Sequence, residues 1–304
     1  MKNKGIYASL VVMLLWGLLF PLVKAGYGVF GISGVGSILS FAGARFTVCG
    51  VIITAFALLK NPKGFSGLAK KLPAILGAGL FSIILHYACT YTGLTMTEGG
   101  KTAIIKQIGA VLYICFGFIF FKEERLTLQK LGGLLLGILG IFAINFGSGK
   151  FTFSVGDLLI IGASFCTVFA NVISKKALGN TDPLVLTGVS QLFGGVVLIC
   201  VGAAVGGDVL AVVPKTASQI GVFAAIVAAS VVSYCMWFML VQKENLSKLF
   251  IIKFSEPLFA AIFGWLIRGE NIWQLNYLLA FLLISGGITV ANIKKKSTRL
   301  MPSA

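Results

Sequence analysis

The chain is 304 residues long, 58% hydrophobic and 11% charged, with a formal net charge of +16 and a mean hydropathy of +0.99. A soluble domain carries roughly 25% charged residues, so a chain this apolar cannot cover itself with a water-compatible surface, and lipid must be its main solvent. The basic residues lie in short clusters between apolar runs rather than on one helix face. This argues against nucleic-acid binding and reads as the charge bias that orients membrane spans.

A bilayer core about 30 Å thick requires about 20 apolar residues rising about 1.5 Å each. Ten runs meet that length, at 5–23, 37–59, 73–95, 102–121, 128–147, 155–174, 183–205, 217–241, 249–267 and 273–293. The first follows Met1-Lys2-Asn3-Lys4 in the manner of a signal peptide. It lacks an A-x-A-like site and is followed by many more spans, so it reads as a retained first helix. The runs are too long and too uniformly apolar for barrel strands. The expected fold is an all-α integral membrane protein of ten transmembrane helices, with loops too short for a separate soluble domain.

Charge then sets orientation. If the N-terminus is cytoplasmic, that side holds Lys2, Lys4, Lys60, Lys63, Lys70, Lys71, Lys122, Arg125, Lys130, Lys175, Lys176, Lys243, Lys248, Lys294, Lys295, Lys296 and Arg299. The other side holds only Lys24, Lys101, Lys150, Lys215 and Arg268. Such a bias predicts a multi-pass protein of the cell membrane with both termini cytoplasmic.

A shift of 146 residues brings Cys89 onto Cys235, Leu94 onto Leu240, Glu98 onto Glu244, Leu112 onto Leu258, Glu124 onto Glu270 and Gly140 onto Gly286. The register carries spans three, four and five onto eight, nine and ten. Two repeats, 1–148 and 149–304, are expected, each of five spans. Because five is odd, the second half enters the membrane inverted, an arrangement suited to alternating access.

Several local sequences carry a further resemblance. Span one has Leu15-Trp16-Gly17 with Phe20-Pro21, and span two has Ala44-Arg45-Phe46. Span four ends in Phe121-Lys122-Glu123-Glu124-Arg125-Leu126, and span five has Gly132-Gly133 with Gly137 and Gly140. The second half has Glu256-Pro257, Arg268-Gly269-Glu270 and Ser285-Gly286-Gly287. The chain resembles EamA-type proteins of the drug/metabolite transporter superfamily. That resemblance implies transport or export of small metabolites, amino acids or drugs. It departs where the family often has a proline in span four: the position matching Pro257 is Val111, which predicts no kink in the first half.

Ionisable groups in a bilayer core cost at least about 2.5–3.5 kcal/mol at the centre and persist where they pair, face a wet centre or act on a solute. Inside spans lie Arg45, Lys106, Lys253, Glu256 and the single histidine, His86. Under the repeat Lys253 overlays Gln107, beside Lys106, so each half brings a lysine to nearly the same depth. Lys253 and Glu256, spaced i and i+3, face one another on a helix, either as an intrahelical ion pair or with Glu256 as a proton-coupling carboxylate. If they pair, Arg45 and Lys106 leave a positive centre suited to an anionic or zwitterionic solute. Arg45 is otherwise a structural tie to carbonyls or to the membrane surface, and His86 either a packed neutral ring or a proton relay.

Polar stripes predict which faces turn inward: Ser230, Ser233, Tyr234 and Trp237; His86, Tyr87, Thr90 and Tyr91; Ser164, Thr167, Asn171 and Ser174; and Ser285, Thr289 and Asn292. Each reads as interhelical hydrogen bonding or a solute path, with Tyr87, Tyr91, Tyr234 and Trp237 as candidate substrate contacts or bundle filling. Gly133, Gly137 and Gly140 form a ridge for close packing between spans five and ten, or for a homodimer contact. The six cysteines read as buried apolar groups, and neither a disulfide framework nor a metal site is indicated. The chain has no phosphate-binding GxxxxGK[ST] loop for ATP, no HExxH or serine–histidine set for catalysis, and no sign of a cofactor.

The expected function is therefore secondary transport of small organic metabolites by alternating access, through a centre lined by spans three, four, eight and nine. The alternatives are a nucleotide-sugar, phosphate-ester or lipid carrier on the same scaffold, a channel, or a membrane-embedded enzyme.

Overall fold

The computed structural model describes residues 3–96, 105–144, 154–269 and 275–292. Glu98, Lys101, Lys150, Glu270 and the basic C-terminal residues, all used above, lie outside them.

Among the described residues every regular element is helical. Helix α1 is Asn3–Phe30 and α2 is Val35–Lys60. Helix α3, Leu68–Gly79, runs through a π-helical segment, Leu80–Leu85, into α4, His86–Leu94. Then come α5 (Ile108–Phe116), α6 (Leu128–Ile144), α7 (Val155–Ala177) and α8 (Pro183–Ala204). Helix α9 is Ala217–Lys243, α10 Leu246–Lys253, α11 Glu256–Arg268 and α12 Leu275–Asn292. Eight helical stretches are long and apolar enough to cross a membrane, with α10 and α11 counting as one, and two shorter apolar helices fall where the fourth and fifth spans are predicted.

The ends of these helices follow from local chemistry. Ser154 and Asp157 form a reciprocal capping box at the start of α7, and Thr216 and Gln219 form another at α9. Each satisfies two backbone donors that the first turn leaves free. Asp182 accepts from the Leu184 amide ahead of Pro183, which suits a first helical position because it has no N–H to lose.

Apolar side chains on the outer faces stay uncovered. Val51, Ile52, Phe56 and Leu59 on α2 are exposed, as are Leu275, Leu278, Phe281 and Leu282 on α12. Faces of this kind belong against lipid tails.

Hydrophobic burial cannot hold helices together where the solvent is itself apolar, so close packing must do it. Helices α2 and α8 pack most extensively, and glycines carry the contact. An added Cβ on Gly36 would meet the Gly202 carbonyl at 2.9 Å, on Gly43 the Gly195 carbonyl at 2.7 Å, and on Gly50 the Leu192 amide at 2.3 Å. Numbers rise along α2 as they fall along α8, so the two helices are antiparallel. Both glycine rows, Gly36, Gly43 and Gly50 against Gly188, Gly195 and Gly202, are spaced by seven residues.

The ridge on α6 is used within the chain. Gly133 meets Gly287 and Ala291, Gly140 meets Ala280 and Ile284, and Gly137 seats the Phe254 ring. This is the expected packing between the fifth and tenth predicted spans, also antiparallel. In the second half the contacting glycine is Gly287, whereas nothing lies near Gly286.

Candidate functional site

Two helix breaks organise the centre of the molecule. In the second half, α10 ends at Lys253 and α11 begins at Glu256. Pro257 in the first turn of α11 cannot donate to the preceding turn, and Ser255 Oγ takes the Ile252 carbonyl at 2.7 Å. The first half breaks as well, at Lys106-Gln107 just before α5. This corrects the expectation that lack of a proline leaves the first half unkinked. Here a serine from another helix packs against the break: Ser164 Oγ of α7, which donates to the Ile160 carbonyl of its own helix at 2.9 Å, lies 3.3 Å from both the Ile105 and Lys106 carbonyls. The backbone approach is close because Gly109 has no side chain; a Cβ there would meet the Ser164 carbonyl at 2.5 Å.

Each break places a lysine at its edge, within the shared sequence Ile-Ile-Lys at 104–106 and 251–253. The two lysines therefore correspond directly, one residue further apart than the 146-residue shift allowed. Both reach toward one face of α1. Lys253 Nζ lies 5.3 Å from the Trp16 ring centre and Lys106 Nζ 5.4 Å from that of Phe20. Trp16 and Phe20 are four residues apart, one helical turn, and ring faces attract cations.

The intrahelical pair of Lys253 with Glu256 does not form. The two lie within electrostatic reach, and Lys106 faces Lys253 as well, but among the described residues the ion pair is Lys130–Glu124. The interrupted helix explains this, since i, i+3 spacing aligns side chains only along a continuous turn. Glu256 instead occupies the first turn of α11, where the helix dipole favours an anion.

Next to the lysines runs a chain of aromatic rings. Trp16 lies 4.9 Å from Trp237 and 5.6 Å from Tyr234, Phe46 lies 5.7 Å from Tyr234 and 4.8 Å from Tyr87, and Tyr87 lies 5.3 Å from Tyr91. The Tyr87 and Tyr234 hydroxyls are 2.8 Å apart. Trp237 donates from Nε1 to Asn171 Oδ1 at 2.9 Å, and Asn171 Nδ2 in turn donates to the Thr167 carbonyl at 2.8 Å. Arg45 lies over Phe46, its Cζ 4.2 Å from the ring centre.

His86 is a packed, hydrogen-bonded ring. Its Nδ1 lies 3.0 Å from the Ala163 carbonyl and 3.1 Å from Thr167 Oγ1, so Nδ1–H donates to the carbonyl. The π-helical segment ends directly before it. One extra residue in that turn re-aims the side chains that follow, a device frequent at functional sites.

The structure therefore brings eight of the predicted residues into one aromatic and basic network: Arg45, His86, Tyr87, Tyr91, Lys106, Tyr234, Trp237 and Lys253. Glu256 borders it. Three of the four polar stripes turn inward. The exception is on α12, where Thr289 is exposed and returns its hydroxyl to the Ser285 carbonyl at 2.8 Å. Trp16 and Phe20 of α1 were missed as site residues although the Trp16-Gly17 sequence was visible. Gly17 packs against the Phe259 and Ala260 backbone, so α1 runs close to α11 next to Trp16. Among the described residues no cluster of His, Cys, Asp and Glu is suited to a metal.

Trp237→Phe tests the order of this network. It keeps most of the ring but strands the Asn171 carbonyl oxygen, and should lower stability by about 1–3 kcal/mol. Thermal unfolding in detergent measures this; an unchanged midpoint would show the bond to be dispensable.

Long helices with bare apolar faces around a buried basic centre describe a multi-pass membrane protein with a polar core. The chain belongs to the EamA-like transporter family, whose sequence pattern matches residues 3–146 and again 154–292. It is 26% identical over 297 residues to a probable amino-acid metabolite efflux pump of Escherichia coli strain K12, covering 94% of each chain. It is 25% identical over 266 residues to the chloroplastic WAT1-related protein At3g02690 of Arabidopsis thaliana, covering 83% of this chain but 61% of that longer one. A solved crystal structure shares the fold with a TM-score of 0.76 at 17% identity, covering 95% of this chain and 96% of its own. The protein is thus a membrane transporter by family.

Proposed function

We propose that the chain is a secondary transporter of small organic metabolites, such as amino acids or carboxylates. Its ten spans form two inverted repeats, 1–148 and 149–304, in the cell membrane, with both termini cytoplasmic. Solute passes by alternating access through the centre between the repeats.

The observation that carries this reading is the pair of lysines. Each sits at a helix break, where backbone groups are released from the helical ladder, and transporters place solute sites at such discontinuities. Each lies over an aromatic ring of α1, and among the described residues the carboxylate in reach of Lys253 is Glu256. Two cations facing one acid leave an excess of positive charge for an anionic or zwitterionic solute to neutralise. The antiparallel pairing of α2 with α8 and of α6 with α12 supports inversion, because these are the second and fifth spans of each repeat. The name of the Escherichia coli relative supports amino-acid metabolites as a solute class.

Counterflow of labelled solutes into liposomes tests the proposal. Carboxylates should exchange, and Lys106→Ala and Lys253→Ala should each reduce uptake about tenfold or more, the usual scale for a lost charge-assisted bond. Exchange restricted to neutral or cationic solutes, with both variants fully active, would remove the charge argument.

A further inference from the structure

Arg45 is buried within an unbroken spanning helix, and among the described residues no acid lies within ion-pair distance of it. Its side chain is 3% exposed. The plane of its guanidinium is occupied: Cζ lies 4.2 Å from the Phe46 ring centre and 5.4 Å from that of Tyr87. Its edge is not. Nε and Nη2 make no hydrogen bond of good geometry, with the Tyr91 hydroxyl the group nearest to pairing with the guanidinium.

Those two atoms are not an arbitrary pair. They lie side by side along one edge of the guanidinium and point their hydrogens in parallel. That is the fork which meets both oxygens of a carboxylate. Arginine cannot shed its proton to relieve the cost of burial, and an unpaired buried charge costs several kcal/mol. Among the described residues no carboxylate lies within ion-pair distance of it. The surroundings are instead hydroxyls: Tyr27, Tyr87, Tyr91 and Tyr234 all face Arg45. The Tyr27 hydroxyl is buried at the same place with only Tyr91 in reach, and makes no hydrogen bond of good geometry there.

We propose that the Nε–Nη2 edge of Arg45 is a carboxylate-binding subsite, separate from the lysine pair and completed by the Tyr27 hydroxyl. The subsite takes the acid group of the solute, while the aromatic chain from Tyr87 to Trp16 lies along the path to the lysines. The inference rests on the transporter reading, because the edge is enclosed here and a solute reaches it only when the helices around it separate.

The full chain in phosphatidylcholine nanodiscs, which contain no lipid carboxylate, tests it. The probes are acetate, benzoate and phenylacetate, each against its neutral amide. Binding is read by calorimetry, and the arginine Nε resonances by 15N NMR, with Arg45 assigned by elimination using Arg125→Lys, Arg268→Lys and Arg299→Lys. At least one acid should bind tenfold or more tighter than its amide and shift the Arg45 Nε signal. Arg45→Gln should abolish the preference, and Arg45→Lys, which keeps the charge without the fork, should reduce it.

No acid-over-amide preference, or a preference without movement of the Arg45 signal, overturns the subsite even if the variants fail to fold. Liposome counterflow separates the two readings. Carboxylate exchange that survives Arg45→Gln sinks the subsite and keeps the transporter. Arg45-dependent binding without any exchange sinks the transporter and keeps the subsite.

Discussion

Replacing Gly195 by leucine is expected to separate α2 from α8 and lower the unfolding midpoint by about 10 °C or more. An added Cβ at Gly195 would meet the Thr47 amide nitrogen at 2.4 Å and the Gly43 carbonyl at 2.8 Å. Overpacking a core that can adjust costs about 1–3 kcal/mol. Here the obstacle is backbone on a facing helix, which cannot rotate away as a side chain does, and about 3 kcal/mol corresponds to roughly 10 °C for a domain of this order of size. The comparison is Gly286→Leu, where nothing lies within 4 Å and the change should stay within about 0.5 kcal/mol. Both variants are read by thermal unfolding in the same detergent. Equal midpoints would mean that the glycine rows do not hold the helices together.

That contrast marks what is legible in a membrane sequence. Hydropathy locates helices because a span has a required length, and most runs appear near their predicted bounds. It says little about which glycine touches which. Gly286 and Gly287 are adjacent and equivalent in composition, yet only Gly287 meets the Gly133 backbone. The site was legible through cost: an ionisable residue inside a span draws attention to itself, so Arg45, Lys106, Lys253 and Glu256 could be picked out. Their relations could not. The break at Lys106 occurs without a proline where Ser164 on α7 packs against it, 3.3 Å from the Ile105 and Lys106 carbonyls, and a helix remote in sequence leaves no local trace. Trp16 and Phe20 were hidden for a different reason. Aromatic residues in an apolar span look like filling until a lysine is found above them.

The buried carboxylate of Glu124 is where the largest loss from a single polar substitution is expected. It is fully enclosed and lies in the loop before α6. There it accepts from the Leu246 amide at 2.7 Å, the Ser247 amide at 3.4 Å, Ser247 Oγ at 2.5 Å and Lys130 Nζ at 3.2 Å. It acts as an N-terminal cap for α10 supplied from a remote part of the chain. Asn245, the local capping position, makes no side-chain cap of its own. The carboxylate also sits where the dipole of α10 favours an anion. Glu124→Ala removes all of these acceptors at once, orphans two buried amides and leaves Lys130 charged without a partner. Breaking a buried pair from one side costs about 3–5 kcal/mol. Lys130→Met should cost clearly less, because the carboxylate keeps the helix terminus and the serine. Glu124→Gln should fall between, since it keeps an oxygen for the amides but turns an N–H toward the ammonium. The three midpoints therefore have a required order. If Lys130→Met proves as damaging as Glu124→Ala, then the ion pair, not the cap, holds the start of α10. Because α10 ends at Lys253, a loosened start should also weaken solute exchange in Glu124→Gln protein that remains folded. The structure links these two effects along a single short helix.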